Sequence, residues 1–184
     1  MSDIYVIAGP SGVGKGTILR ELAARAPRCW LSISATTRAP RPGEVDGTHY
    51  FFVTDERFDE LVASGDMLEW ALVHGQNRYG TPRGPVMEAI ERGRVPVLEV
   101  DLDGARQIRS SLPQATQIFI APPSWEELTR RLAERGTESP DEQRRRLATA
   151  QVEMDAAGEF DLVVVNDRVS RATDELLRIM GAGE

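Results

Sequence analysis

Short apolar runs alternate along this chain with segments whose apolar residues recur every three or four positions. Five runs have the length and composition of buried strands: Ile4–Ala8, Leu31–Ser34, Val95–Val100, Thr116–Ile120 and Leu162–Val165. The helical spacing between them predicts helices over about 15–26, 103–112, 124–135, 140–157 and 170–181. Strands that alternate with helices are typical of βαβ units, so we predict a parallel sheet with helices on both faces.

Two segments interrupt this alternation. Residues 35–80 contain two Pro-Gly-rich turns, a strand-like His49–Val53, a short helical pattern near 55–64 and another strand near 67–73. We interpret this segment as a small β-rich lobe inserted into the sheet domain. Residues 136–146 form a polar hinge with Gly and Pro between two helices, which predicts a lid.

Composition narrows the class of protein. The 184 residues fit one α/β domain, and the net charge of −7 argues against general nucleic-acid binding. No apolar run is long enough to cross a membrane, and the N-terminus has no basic-then-apolar leader. One cysteine, Cys29, excludes an internal disulfide framework. We therefore expect a cytoplasmic protein, either a monomer or a small homo-oligomer.

The segment directly after the first strand carries the strongest chemical signal. Gly9–Thr17 matches the phosphate-binding pattern G-x-x-x-x-G-K, and its Lys15 is the single lysine among 22 basic side chains. Glycines let backbone N–H groups converge on a polyphosphate at a helix N-terminus, and the lysine reaches the outer phosphates. We therefore expect a nucleoside triphosphate to bind Gly9, Ser11, Gly12, Val13, Gly14, Lys15, Gly16 and Thr17.

The motif departs from its usual form at Gly16, where a Ser or Thr hydroxyl normally ligates Mg²⁺. Mg²⁺ keeps several water ligands, so we expect it to be bound mainly through the phosphates of ATP, as Mg-ATP. Thr17, one residue further on, is better placed for a phosphate. The side chains that could contact the metal through water are Thr17, Glu99 and Asp101.

A second anion site is indicated in the inserted segment. Arg38 and Arg41 lie in a stretch stiffened by two prolines, which suits the phosphate of a nucleoside monophosphate. Two solvated surface arginines are the alternative interpretation. Tyr50 and Tyr79 could add hydroxyl groups to this site, although either is also typical of a packed aromatic residue.

Carboxylates follow apolar strands at two places. Glu69 ends a half-apolar strand, and Asp101 ends the apolar run that begins at Val97. Asp101 would lie at the carboxyl edge of a parallel sheet, where ligands bind, and Glu99 shares its face of the strand. The alternatives are a solvated charge for Glu69 and a helix N-cap for Asp101.

Arginines also flank the predicted lid. Arg131 and Arg135 are four residues apart and share a helix face, and Arg144–Arg146 follow the hinge. Cations on a lid would stabilise the charge on a transferring phosphoryl group. A helix with ion pairs to Glu127 and Glu134 is the alternative interpretation.

Taken together, these features resemble the guanylate kinase family. The resembling blocks fall in family order across residues 4–167: Gly9–Thr17, Ser32–Arg41, Gly43–Phe52, Glu69–Trp70, Tyr79–Pro82, Glu99–Asp101, Gly104–Ala105, Ile118–Ser124, Arg131–Thr137 and Val165–Asp167.

The resemblance implies a guanylate kinase, which transfers the γ-phosphoryl group of Mg-ATP to GMP, and also to dGMP, and yields ADP and GDP. It implies that guanine contacts Ser34, Glu69, Thr81 and Asp101, and that the GMP phosphate contacts Arg38, Arg41, Tyr50 and Tyr79. It places Asn166 near the adenine. The implied catalytic cations are Lys15, Arg38, Arg131, Arg135 and Arg146.

The resemblance also implies how the single domain, 1–184, is organised. We expect a three-layer P-loop α/β core over about 1–34, 81–125 and 158–184, a GMP-binding lobe over about 35–80 and a helical lid over about 126–157. Three other functions compete: a non-catalytic scaffold module, a kinase for another nucleoside monophosphate, and a kinase for a ribose phosphate. Lys15 and the lid arginines disfavour the first, and Glu69 favours guanine over other bases.

Overall fold

The computed structural model describes residues 4–73, 75–134 and 140–181. Its strands are β1 Tyr5–Ala8, β2 Cys29–Leu31, β3 Ala35–Thr36, β4 Phe51–Phe52, β5 Met67–Val73, β6 Asn77–Pro82, β7 Val95–Glu99, β8 Thr116–Ala121 and β9 Leu162–Val165. Its helices are α1 Lys15–Arg25, α2 Asp55–Ala63, α3 Arg83–Glu91, α4 Leu102–Ser111, α5 Trp125–Ala133, α6 Pro140–Asp155 and α7 Val169–Ile179, with a 3₁₀ turn at Ala156–Glu159.

The larger sheet is parallel and lies between two layers of helices. Over the described ranges its strand order is β2-β7-β1-β8-β9. Side chains alternate along β1, so Tyr5 and Ile7 pack with α1, α5 and α7, whereas Val6 and Ala8 pack with α3 and α4. The predicted three-layer α/β core is therefore confirmed.

A second, mixed sheet is inserted between β2 and α3. Its order is β4-β3-β6-β5 within the part of the chain that the structure describes, and β5 and β6 run antiparallel. Helix α2 packs on it through Phe58, which contacts Ala35 and Met67 in a small apolar core. The predicted β-rich insertion, its short helix and its strand at 67–73 are confirmed.

The predicted strand Leu31–Ser34 is wrong in its position. Strand β2 ends at Leu31, and Ser32 donates its backbone N–H to the Val97 carbonyl at 2.9 Å as the last bond to the large sheet. The carbonyl of Ser34 already accepts a hydrogen bond from Phe51 N–H in the second sheet, at 2.9 Å. This apolar run is therefore the crossing between the two sheets.

Two elements have no counterpart in the sequence analysis. Strand β6 contains Gly80 and Pro82 and looks like a turn in sequence, and α3 follows it directly.

The predicted strand His49–Val53 is shorter in the structure, where it is β4, although Asp46 and Tyr50 form an isolated bridge just before it. In the described part of the chain, no helix is long and apolar enough to cross a membrane.

Candidate active site

The glycine-rich loop connects the central strand β1 to the N-terminus of α1. It crosses the end of β8 so closely that a Cβ atom on Gly9 would lie 2.3 Å from the Ile120 carbonyl oxygen, and the φ of Gly9 is 149°. Glycine is therefore required at this position. Gly14 ends the loop as the N-cap of α1, and its carbonyl accepts hydrogen bonds from Thr17 and Ile18 at 3.1 and 3.2 Å.

The loop and the first turns of α1 line a pocket of about 280 Å³. Lys15 lies in it, and its Nζ donates to the carbonyls of Gly9 at 2.5 Å and Pro10 at 3.3 Å. A lysine beside loop N–H groups at a helix N-terminus provides the positive potential that a polyphosphate requires. The lining residues are Pro10, Ser11, Gly12, Gly14, Lys15, Gly16, Thr17, Arg20 and Glu99.

Val13 is a buried residue of the loop, and its carbonyl anchors the loop to two other segments. Asn166, which is 3% exposed and directly follows β9, donates its Nδ2 to this carbonyl at 2.7 Å. Arg131 of α5 approaches the same oxygen with Nη1 at 3.3 Å, and it forms an ion pair with Glu127 at 2.9 Å. Both predicted side chains thus contact the loop itself, and the alternative of a helix with ion pairs is also correct for Arg131.

Helix α6 contributes a carboxylate that the sequence analysis missed. Ser11 donates its backbone N–H to Glu153 Oε2 at 3.4 Å. Burial raises the pKa of Glu153, and the positive charge of Lys15 opposes that rise. A signal existed in the sequence, because Arg146, the buried Ala150 and Glu153 have the spacing of one helix face.

The second sheet buries a carboxylate next to a hydroxyl. Glu69 on β5 pairs with Thr81 on β6 across the strands, and Thr81 Oγ1 donates to Glu69 Oε1 at 2.6 Å. Glu69 is only 9% exposed, and Thr81 is 1% exposed. Burial raises the pKa of Glu69, the hydrogen bond from Thr81 opposes this, and the nearby charge of Asp101 raises it further.

Asp101 caps helix α4, as the alternative interpretation proposed. Its Oδ1 accepts a hydrogen bond from Gly104 N–H at 2.7 Å. The cap also places Asp101 beside Glu69, because a Cβ atom on Gly104 would lie 3.2 Å from both Asp101 Oδ1 and Glu69 Oε2. Gly104 therefore allows the two carboxylates to approach, whereas Glu99 lines the phosphate pocket.

Arg38 stands at the centre of a cluster on the second sheet. Its Nε donates to the Tyr79 hydroxyl at 3.1 Å, and its guanidinium carbon lies 5.4 Å from the centre of the Tyr50 ring. The two tyrosine rings meet edge to face, with centroids 5.8 Å apart. The structure thus brings together three of the residues predicted around the acceptor phosphate.

Glu44 holds this cluster together and was not predicted as a site residue. It accepts a two-pronged hydrogen bond from Arg38 at 2.9 and 3.0 Å, and a third from Arg41 N–H at 2.6 Å. The bond from Arg38, and then that from Arg41, lower the pKa of Glu44 to about 2. The Arg41 side chain is exposed, and Ser34 is half-buried just before β3.

The remaining predicted residues concern the metal and the lid. Thr17 and Glu99 both line the phosphate pocket, and their oxygen atoms are the ligand type that Mg²⁺ prefers. Asp101 instead lies with Glu69. Arg146 is half-buried on α6. Arg135 and residues 136–139 of the predicted lid lie outside the described residues.

A glycine loop between a central parallel strand and a helix, with a cationic pocket at its mouth, defines a P-loop nucleotide-binding protein. Shikimate kinase from Bacteroides thetaiotaomicron has this fold, with a TM-score of 0.51 over 97% of this chain and 98% of that protein at 12% identity. At that identity the similarity shows the fold alone.

More specific matches place the chain within this class. The family model described as guanylate kinase matches residues 1–182. The guanylate kinase of Thermobifida fusca is 55% identical over 97% of this chain and 91% of its own length, and that of Synechococcus sp. is 57% identical over 95% and 92%. The crystal structure of guanylate kinase from Anaplasma phagocytophilum superposes with a TM-score of 0.72 at 33% identity, over 97% of this chain and 84% of that one. The chain belongs to the guanylate kinase family, and its activity is that of an ATP:GMP phosphotransferase.

Proposed function

We propose that this chain transfers the γ-phosphoryl group of Mg-ATP to GMP, and also to dGMP, at a site between the phosphate loop and the second sheet. The observation that carries the proposal is the buried carboxylate of Glu69 next to Thr81. Guanine presents N1–H and N2–H₂ side by side, and one carboxylate accepts both. Adenine has an acceptor at N1, which would face Glu69 without a donor and cost about 1–3 kcal/mol.

The remaining contacts to guanine are assigned to Ser34, Thr81 and Asp101. Asp101 lies close enough to Glu69 to raise its pKa, so bound guanine N–H groups would relieve the repulsion between the two carboxylates. Thr81 keeps one oxygen of Glu69 fixed, which leaves the orientation of the carboxylate set before GMP arrives.

The acceptor phosphate is assigned to Arg38, Arg41, Tyr50 and Tyr79. Arg38 is already oriented by Glu44 and by the Tyr79 hydroxyl, so little side-chain freedom is lost when a phosphate binds. Arg41 has an exposed side chain next to the same Glu44 and can add a second guanidinium. Arginine suits this task because its fork matches phosphate oxygens.

The donor triphosphate is assigned to the loop N–H groups, Lys15, Gly16 and Thr17, with Asn166 toward the adenine side. Arg131, Arg135 and Arg146 are proposed to stabilise charge on the transferring group. When bound, Mg²⁺ would neutralise phosphate charge, and Thr17 and Glu99 are the side chains in the pocket that would hold its shell. Both residues line the same pocket as Lys15, which supports this assignment.

The chain's own residues act by positioning, since a phosphate oxygen of GMP is already negative and needs no strong base. Binding brings the two phosphates in line, closure excludes water, and Lys15 and the arginines neutralise charge on the transferring group. We further propose a core over about 1–34, 81–125 and 158–184, a GMP-binding lobe over about 35–80 and a lid over about 126–157 that close together. The proposed setting is the cytoplasm, with a monomer or a small homo-oligomer.

An ADP-release assay with Mg-ATP and either GMP, dGMP, AMP, CMP or UMP tests this function. We expect turnover with GMP and dGMP only. Turnover with another base would contradict the role of Glu69. Binding of GMP without turnover would instead favour a non-catalytic interaction module.

A further inference from the structure

An arginine that the motif analysis did not single out faces the phosphate pocket. Arg20 lies on α1 and lines the same pocket as Lys15 and Glu99. Helical side chains lean toward the N-terminus of their helix, so the residue at position 20 covers the turn that starts four residues earlier. Its Nη2 accordingly donates to Thr17 Oγ1 at 3.2 Å.

The position that Arg20 covers is Gly16, where the motif usually carries a hydroxyl. A Cβ atom built on Gly16 would lie 3.8 Å from Arg20 Nη1, the nearest side-chain atom among the described residues. The guanidinium therefore lies beside the space where the usual metal-binding side chain would project. The guanidinium of Arg20 thus lies where the Ser or Thr hydroxyl usual at position 16 is absent.

The partners of Arg20 distinguish it from its neighbour on the same helix. Arg25 forms ion pairs with Glu21 at 3.2 Å and Asp174 at 2.5 Å. Across the described ranges, no carboxylate lies within ion-pairing distance of Arg20, and its hydrogen bond goes to a neutral hydroxyl. A guanidinium has five N–H donors, so the single bond to Thr17 leaves donors of this exposed side chain able to bind a ligand in the pocket that it lines.

We infer that Arg20 is a further phosphate-binding residue of the donor site. At position 16 most such loops carry a hydroxyl that helps to bind Mg²⁺, and here the guanidinium of Arg20 supplies positive charge beside Gly16 instead. The inference rests on the proposed function, because it assigns the pocket to the ATP polyphosphate. It predicts that Arg20 contributes to ATP affinity even without Mg²⁺, since the guanidinium contacts phosphate oxygens directly.

The test uses Arg20→Gln, with Arg25→Gln as the matched control on the same helix. ATP is titrated by calorimetry in EDTA, and GMP is titrated separately. We expect Arg20→Gln to weaken metal-free ATP binding about three- to tenfold, to leave the Kd for GMP unchanged, and Arg25→Gln to leave both unchanged. An ATP Kd within about twofold of wild type, or a loss confined to GMP, overturns the inference.

A second pair of variants tests the link to Gly16. Gly16→Ser restores the hydroxyl, and we expect Arg20→Gln to cost less Mg-ATP affinity in that background than in the wild type. Equal losses of Mg-ATP affinity in both backgrounds overturn the inference that Arg20 compensates for the missing hydroxyl at Gly16. The Lys15→Met variant separates this inference from the proposed function. If the Lys15→Met variant is inactive while Arg20→Gln binds ATP normally, only the role of Arg20 fails. If Lys15→Met keeps normal turnover, the donor site itself fails and the inference fails with it.

Discussion

The phosphate loop presents the backbone of one continuous stretch, Gly9–Gly14, whereas the proposed acceptor site presents side chains that are far apart in sequence. In the loop, a close approach fixes the path, because the carbonyl of Ile120 leaves no space for a Cβ atom on Gly9. In the second sheet, strand register fixes the geometry by placing Glu69 opposite Thr81. The donor site therefore depends on backbone shape, and the acceptor site depends on paired side chains.

The two sites also differ in how their cations are held before substrate arrives. Lys15 donates to loop carbonyls, which a phosphate can replace, and the carboxylate of Glu153 lies close enough to interact with its charge. Arg38 is paired with the carboxylate of Glu44, so it stays oriented but shares its charge. This difference predicts that single substitutions will separate the two substrates.

The largest effect is expected at the donor site. Lys15→Met removes the ammonium at the mouth of the loop and should lower kcat by about 10²–10³-fold or more, because the charge of the transferring group loses a preorganised cation. Steady-state kinetics with saturating GMP measures this. The thermal unfolding midpoint should stay near that of the wild type, and near-normal kcat would remove Lys15 from the mechanism.

The corresponding change at the acceptor site is Glu69→Gln. The amide of Gln would turn its NH₂ group toward one of the two guanine N–H donors, which need acceptors. The kcat/KM for GMP should therefore fall about 10- to 100-fold. The Kd for ATP should not change. Glu60→Gln, at an exposed residue of α2 that pairs with Arg57, is the control. Equal losses of GMP and ATP affinity in Glu69→Gln would contradict base recognition.

The raised pKa of Glu69 predicts how pH affects the two sites. GMP needs the ionised carboxylate, so its KM should rise as pH falls through a range above that of an ordinary glutamate, while the KM for Mg-ATP changes less. In the absence of ligand, the effect of pH on the free energy of unfolding has the opposite sign. A raised pKa stabilises the folded state below the ordinary value, and this stability is lost as pH rises through the raised pKa. Thermal unfolding of Glu69→Gln should lack this loss, and an identical pH profile in both proteins would contradict it.

A smaller effect is expected from the residue that orients Arg38. Glu44→Gln weakens the two-pronged ion pair, so the KM for GMP should rise about threefold while kcat stays within about twofold. Because the pKa of Glu44 is lowered to about 2, its contribution to stability is present above the ordinary glutamate pKa and is lost as pH falls through about 2. Glu88→Gln, which breaks the exposed pair with Arg92, should change neither quantity.

The smallest effect is expected where α6 meets the loop. Glu153→Gln removes a negative charge beside Ser11 and Lys15, so ATP should bind about two- to fivefold more tightly. Asp155→Asn on the same helix is the matched control, since Asp155 is exposed and accepts a hydrogen bond from Gln151 at 2.8 Å. Weaker ATP binding by Glu153→Gln would show that this carboxylate supports the loop instead.

The contrast between the sites explains what could be predicted from sequence. The large sheet and the phosphate loop follow from local patterns, because apolar alternation and glycine spacing are read within a few residues. Strand β6 was missed because Gly80 and Pro82 have the composition of a turn, while its pairing with β5 is decided by tertiary contacts. Glu44 was missed because a carboxylate in a polar turn near arginines is common on any surface, and Glu153 was missed because its contact with Ser11 forms only in the folded protein.

Residue types alone also left some roles open. Asp101 is both a helix cap and a neighbour of Glu69, so the two interpretations were not exclusive. Asn166 was expected beside the adenine, and its amide binds the Val13 carbonyl. Arg20 was missed because it lies three residues beyond the motif Gly9–Thr17, and its side chain returns to Thr17 only in the folded helix.

A donor site built from backbone and an acceptor site built from side chains should bind ATP and GMP independently of each other. The most direct test is calorimetric titration of Lys15→Met and Glu69→Gln with each nucleotide alone. We predict that Lys15→Met loses ATP affinity and keeps the wild-type Kd for GMP, and that Glu69→Gln shows the reverse. Parallel losses of both nucleotides in either variant would contradict it.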